Sequence, residues 1–176
     1  MIIIRNAKIE DIKGIAKVLK ESYNIDSIEE AKQVFREEIK KNHHYIVAEQ
    51  LRTILGIVTW TVHDLPKHQL AELNRIAVLP EFRGKGIAKL LFNGLIKKAN
   101  EFYKDNGSRL RKLYLLTHES NTRAHAFYEK MGFKHETTLD SHYYEGEDEY
   151  IYSMFFDEKE NINSDSSDKN QKTSMP

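Results

Sequence analysis

Arg83, Gly84, Lys85 and Gly86 stand directly after a short apolar run, Ile76-Ala77-Val78-Leu79-Pro80, and directly before an amphipathic one that opens Ile87-Ala88-Lys89. Residues of these types in this order suit a phosphate. Backbone N–H groups in the first turn of a helix have no intrahelical partner and lie at the positive end of the helix dipole. Glycines at that point let an anion approach the backbone, and Arg83, Lys85 and Lys89 add positive charge. The chemistry expected of residues 74–91 is therefore the binding of a pyrophosphate. The Gly-x4-Gly-Lys-Ser/Thr pattern of a Walker loop is absent. The dinucleotide fingerprint lacks its third Gly/Ala and its acidic residue at the usual distance. Taken alone, Gly-Lys-Gly before a helix fits a bland N-terminal turn about as well.

The elements that must position this loop can be read from periodicity. Residues 2–5 are a β-branched run and read as a strand. Ile12, Ile15, Ala16, Leu19 and Tyr23 recur at helical spacing and predict a helix over 11–23. Ser27 and Glu30 match a capping box, which opens a second helix to about residue 40 with Ile28, Ala31, Phe35 and Ile39 as its stripe. Strands are predicted over 45–49 and 54–64, followed by an interruption at Pro66-Lys67-His68. A fourth strand over 70–79 ends at Pro80, which cannot donate to a sheet ladder. A helix follows over 84–104. Residues 112–118 read as a fifth strand, central because Leu113-Tyr114-Leu115-Leu116 is nearly all apolar. A short helix over 121–131 is stopped by Gly132, placed as a C-terminal cap. Strands over 133–140 and 150–156 are joined by the acidic segment 145–149. The order β-α-α-β-β-β-α-β-α-β-β predicts an α/β fold: a single mixed central sheet with helices on both faces, parallel where a helix joins two strands. The domain is expected to span 1–156. The polar tail, 157–176, has only Ile162 and Met175 as sizeable apolar residues and is expected to be disordered.

Bulk properties narrow the class. Lys+Arg and Asp+Glu both number 27 in 176 residues, so the net charge is zero, and nothing global argues for nucleic acid or a membrane surface. The chain has no cysteine, which excludes a disulfide framework, a thiol nucleophile and a cysteine zinc site. The start, Met1-Ile2-Ile3-Ile4-Arg5, has no signal-peptide pattern, and no window approaches the roughly 20 apolar residues of a membrane span. These properties fit a cytoplasmic protein.

The block Arg83-x-x-Gly86-x-Ala88, behind its apolar strand, is followed later by Asn121-x-x-Ala124-x-x-Phe127-Tyr128-Glu129-Lys130-Met131-Gly132-Phe133. Together they resemble the GNAT superfamily of acetyl-CoA-dependent N-acetyltransferases, over residues 2–156 and in the family's element order. The resemblance implies the acyl-CoA N-acyltransferase fold, acetyl-CoA as co-substrate and no metal. It places the CoA pyrophosphate on the backbone of Arg83, Gly84, Lys85, Gly86, Ile87 and Ala88, beside Lys89. It pairs the strand edge at Ile76, Ala77 and Val78 with the pantetheine arm. It assigns Asn121 to a hydrogen bond with that arm and Tyr128 to protonation of the leaving thiolate. In some members a carboxylate base lies on the fifth strand, where this chain has Leu116. In others it lies on the fourth strand, at the position of Glu72, which is therefore the expected base, acting through water. Asn74, two residues on, has the same strand parity and is expected to help hold that water.

Each assignment has a plainer competitor: a solvent-facing strand carboxylate for Glu72, a core aromatic for Tyr128, and a helix N-cap for Asn121. His118 is a second candidate base, against a surface or hydrogen-bonded histidine. His43-His44 lacks partners at metal spacing and reads as a loop or strand start. Tyr143-Tyr144 and the acidic run after them suggest a rim for a cationic amine, with solvated hairpin charge as the favoured alternative. The expected function is acetyl transfer from acetyl-CoA to a primary amine, by direct attack in a ternary complex. The acceptor is a small molecule or a peptide or protein amine, and the C-terminal strands could pair in a homodimer. A non-catalytic CoA-binding sensor or partner-binding module is the alternative, and a nucleotide-phosphate binder using the same loop a third.

Overall fold

The computed structural model describes residues 1–157; residues 158–176 of the tail expected to be disordered lie outside the described residues. One seven-stranded sheet runs through the domain. Its strands are β1 (Ile3–Asn6), β2 (His44–Gln50), β3 (Thr53–Val62), β4 (Leu70–Val78), β5 (Lys112–His118), β6 (Lys134–Tyr144) and β7 (Glu147–Phe155). Their order across the sheet is β1-β2-β3-β4-β5-β7-β6. The pair β4–β5 is parallel and every other pair is antiparallel, so the sheet is mixed, as the element order predicts.

Helices cover both faces because the central strands are apolar on both. In β2, Tyr45 and Val47 point into a core with Ile15, Leu19 and Phe35, while Ile46 and Ala48 point into a core with Leu91, Leu95 and Tyr103. The first core lies under α1 (Ile12–Ser22) and α2 (Ile28–Lys40). The second lies under α3 (Ile87–Asp105), with Tyr128 of α4 (Thr122–Lys130) and Phe133 joining it. Ser27 caps α2 as predicted, accepting a hydrogen bond from the Glu30 N–H at 3.1 Å. α3 lies close against the sheet at Gly94, where a Cβ would come 2.5 Å from Ile4 Cγ2.

One sequence expectation is corrected. The segment 145–149 is no loop: β7 begins at Glu147, and Glu145-Gly146 alone makes the turn, with Gly146 at φ +81°. The acidic side chains here are hydrogen-bond and ion-pair acceptors, so Glu149 is only 2% exposed and is not solvated hairpin charge. Thr59 pairs with Arg75 and Trp60 with Leu73, which leaves Asn74 as the extra residue of a β-bulge; Asn74 and Glu72 nonetheless line one cavity.

Candidate active site

The glycine loop lies where the sequence places it, but outside the helix. Pro80–Phe82 form a single 3-10 turn, Arg83 is extended, and Gly86 is the N-cap of α3. Gly84 and Gly86 have φ of +75° and +77°, the left-handed region that favours glycine. Nothing lies within 4 Å of where a Cβ would stand on either residue, so the space beside this backbone is open. Arg83 Nε donates to the Val78 carbonyl at 3.0 Å, tying the loop to the end of β4. Lys85 Nζ donates to the Glu81 carbonyl at 3.3 Å and stands over the Phe82 ring.

Upstream, β4 and β5 pair over Leu70–Glu72 and Lys112–Tyr114 alone. Beyond that register the strands part, and β5 stays with β7 along its whole length. The split leaves the β5-facing edge of β4 without a strand partner at Ile76, Ala77 and Val78. It opens into a cavity of about 1330 Å³, lined from the glycine loop through β4 and β5 to α4 and the β6–β7 turn. Asn74 Oδ1, in the bulge, is buried at this cavity without a hydrogen-bond partner among the described residues. A buried unpaired acceptor is costly, which marks the bulge as a place for a ligand's donor.

The structure brings Glu72, Tyr128, Asn121 and the loop into this one cavity. Tyr128 is 8% exposed, and burial pushes its phenol up to about 12, so it carries its proton at neutral pH. Its ring meets Phe127 and Phe133 edge-on, which fixes its direction. Asn121 is the N-cap of α4: its Oδ1 accepts from the Ala124 N–H at 3.2 Å, and its amide NH2 is the group left for a ligand. Glu72 Oε2 accepts a hydrogen bond from the Tyr114 hydroxyl at 2.8 Å, and Tyr114 stands opposite it in the parallel register. Burial and the Glu72 charge raise the Tyr114 phenol. Glu72 is thus a fixed, half-buried carboxylate at the vertex of the split rather than a solvated one.

Other residues join the cavity, among them Arg75 and Glu38, which the sequence reading passed over. Arg75 forms an ion pair with Glu38 of α2, which also accepts from the Tyr45 hydroxyl, and the guanidinium lies 5.3 Å from the Tyr23 ring centre. Glu38 follows Phe35 by three positions, so helical spacing already placed it beside the buried stripe. His43 is held below its usual range, burial outweighing Glu38. At the far end of β5, His118 Nδ1 is ion-paired with Glu149.

Residues 12–133 match the acetyltransferase (GNAT) family. An N-alpha-acetyltransferase of Saccharolobus solfataricus is 31% identical over 163 residues, spanning 84% of this chain and 89% of that protein. Among solved structures, PaiA N-acetyltransferase from Thermoplasma acidophilum, in complex with coenzyme A, superposes with a TM-score of 0.67 at 26% identity, over 89% of this chain and 99% of that one. An N-acetyltransferase from Staphylococcus aureus Mu50 also superposes with a TM-score of 0.67, at 25% identity, over 88% and 98%. The split sheet, the open glycine loop and these relatives have one reading: the chain belongs to the GNAT family of acetyl-CoA-dependent N-acetyltransferases.

Proposed function

We propose that the protein moves the acetyl group of acetyl-CoA onto a primary amine by direct attack in a ternary complex. The observation that carries this reading is the continuity of one cavity from the glycine loop, along the free edge of β4, to Tyr128 and Glu72. The residues fit the co-substrate. Open space borders the backbone at Gly84 and Gly86, and the loop's N–H groups up to Ala88 would hold the pyrophosphate, with Lys89 adding charge; the Arg83 N–H itself donates to the Pro80 carbonyl at 3.2 Å. The unpaired edge at Ile76, Ala77 and Val78 suits the two amides of pantetheine, and Asn121 has donors to spare for the same arm. Acetyl-CoA supplies the activated acyl group.

Within that frame, Tyr128 donates its proton to the departing thiolate, the role for which a neutral buried phenol is suited. Glu72 accepts, through water, the proton lost by nitrogen as the amide forms. Its bond to Tyr114 holds the carboxylate in place and leaves one oxygen free. No acyl-enzyme is involved, since the chain has no cysteine to carry one. The Saccharolobus relative is named an N-alpha-acetyltransferase, so α-amino groups are the first acceptors to test, with polyamines and amino acids beside them.

The test is release of free thiol from acetyl-CoA across an amine panel, with the acetylated product identified by mass. At least one amine is expected to give stoichiometric thiol and product. Stabilisation by CoA in thermal unfolding, with no thiol release from any amine, would instead make the protein a non-catalytic CoA-binding module.

A further inference from the structure

We propose that His118, held by Glu149, takes the proton from an incoming acceptor ammonium, so that the amine reaches the thioester neutral. This rests on the reading of the protein as an amine N-acetyltransferase. The geometry begins with alternation along β5. Tyr114, Leu116 and His118 share one face of that strand. Glu72 stands opposite Tyr114 across the parallel register, and Glu149 stands opposite His118 across the antiparallel one. The face therefore carries a proton acceptor at each end, about 13 Å apart at ~3.3 Å per residue, with apolar Leu116 between them. Glu72 is at the closed vertex of the split. His118 is at the open end, beside the exposed rings of Tyr143 and Tyr144, 6.5 and 5.6 Å away.

The two members of the pair are unequally buried. The His118 side chain is 39% exposed and lines the cavity, whereas Glu149 is 2% exposed behind it. Burial drives the Glu149 carboxyl up, and the His118 charge opposes that. Nδ1 stands beside the Glu149 carboxylate, and with its proton on that side the ring presents the Nε2 lone pair as the acceptor. Further groups face the pair. Glu147 Oε2 is 3.9 Å from His118 Nδ1, His142 acts on Glu149, and His125 Nε2 lies 3.0 Å from the His118 carbonyl. Glu149 and Glu147 place two carboxylates beside Nδ1, a counter-charge for the proton that the ring takes up.

The step balances as follows. An N–H bond of R–NH3⁺ breaks, and its electron pair stays on nitrogen as the lone pair needed for attack. The Nε2 lone pair forms the new N–H bond, the positive charge moves to the imidazolium beside Glu149, and the proton then leaves to solvent at the open end. That is the one net proton of R–NH3⁺ plus acetyl-CoA giving amide plus CoA thiol. The second proton on nitrogen goes to Glu72 and is matched by the one Tyr128 gives to sulfur.

The experiment compares kcat/KM of wild type, His118→Gln and Glu149→Gln with two acceptors of similar shape: an alkylamine that is an ammonium at neutral pH, and a fluorinated analogue that is already neutral there. For the alkylamine, His118→Gln is expected to lose on the order of 10²-fold, the usual scale of a general base. Glu149→Gln is expected to lose less, because the imidazolium formed in the step loses its counter-charge. With the neutral analogue both variants should run close to wild type. Equal losses with both acceptors, or an unchanged alkylamine rate in His118→Gln, would overturn the proposal. Should Glu149→Gln fail to fold, the half-exposed His118→Gln still decides it. Absence of thiol release from wild type with every amine would overturn the acetyltransferase reading itself, not the dyad alone.

Discussion

The two halves of the cavity, one proposed for the donor and one for the acceptor, are built from different materials. The donor half is backbone: glycine N–H groups, the free edge of β4 and the capped start of α4, with side chains such as Arg83 and Lys85 turned to tie the loop to β4 and Glu81. The acceptor half is side chains, and its carboxylates come with partners: Glu72 with Tyr114, Glu38 with Arg75, Glu149 with His118. A backbone site recognises what is common to a cofactor and tolerates little change in φ and ψ. A site of paired side chains tunes charge, and it can be altered one pair at a time. Damage to the first half should therefore show in acetyl-CoA binding, and damage to the second in acceptor chemistry and stability.

The sharpest break in this division is at the boundary. Tyr128→Phe removes one oxygen from a well-packed ring and should lower kcat by about 10²-fold or more, the scale of a lost general acid, with the KM for acetyl-CoA unchanged in steady-state thiol release. Glu72→Gln should lower kcat by roughly 10²-fold on the same grounds and likewise spare acetyl-CoA binding. If its KM for acetyl-CoA rose instead, Glu72 would belong to the donor half. Gly86→Ala works in the opposite sense. Forcing a side chain into left-handed backbone costs about 1–2 kcal/mol, so the KM for acetyl-CoA should rise by roughly 10-fold while the acceptor KM holds. Glu38→Gln weakens the charge opposite Arg75 and should lower stability by about 1–3 kcal/mol in denaturant unfolding, with acetyl-CoA affinity intact.

The smallest effect is alkaline. The Tyr128 phenol is raised from 10.0 to about 12. The folded form thus binds that proton more tightly than the unfolded chain does. Its stabilising share is complete below pH 10 and is lost as pH climbs through about 12. Wild type should lose stability more steeply than Tyr128→Phe across that window, as followed by chemical unfolding.

The same contrast explains what the sequence disclosed. Gly84 and Gly86 were legible from their place between an apolar strand and a helix, and Tyr128 and Asn121 through the family resemblance of the block that holds them. The element order, the capping of α2 and the two-faced sheet followed from local periodicity. What stayed hidden depends on register. Asn74 falls in a bulge that alternation does not reveal. Glu149 looked like loop charge until β7 proved to begin at Glu147 and set it opposite His118. Arg75 finds Glu38 across 37 residues of chain, a pairing no local pattern encodes. Glu38 itself could have been flagged by its place three positions after Phe35.

The claim that β4 presents its free edge to the donor is tested most directly by amide hydrogen exchange, with and without coenzyme A. Saturating coenzyme A should slow exchange in β4 across Ile76, Ala77 and Val78 and in the loop from Arg83 to Ala88, and leave β6 unchanged. Protection that bypasses these amides, or equal protection by ATP, would contradict the account.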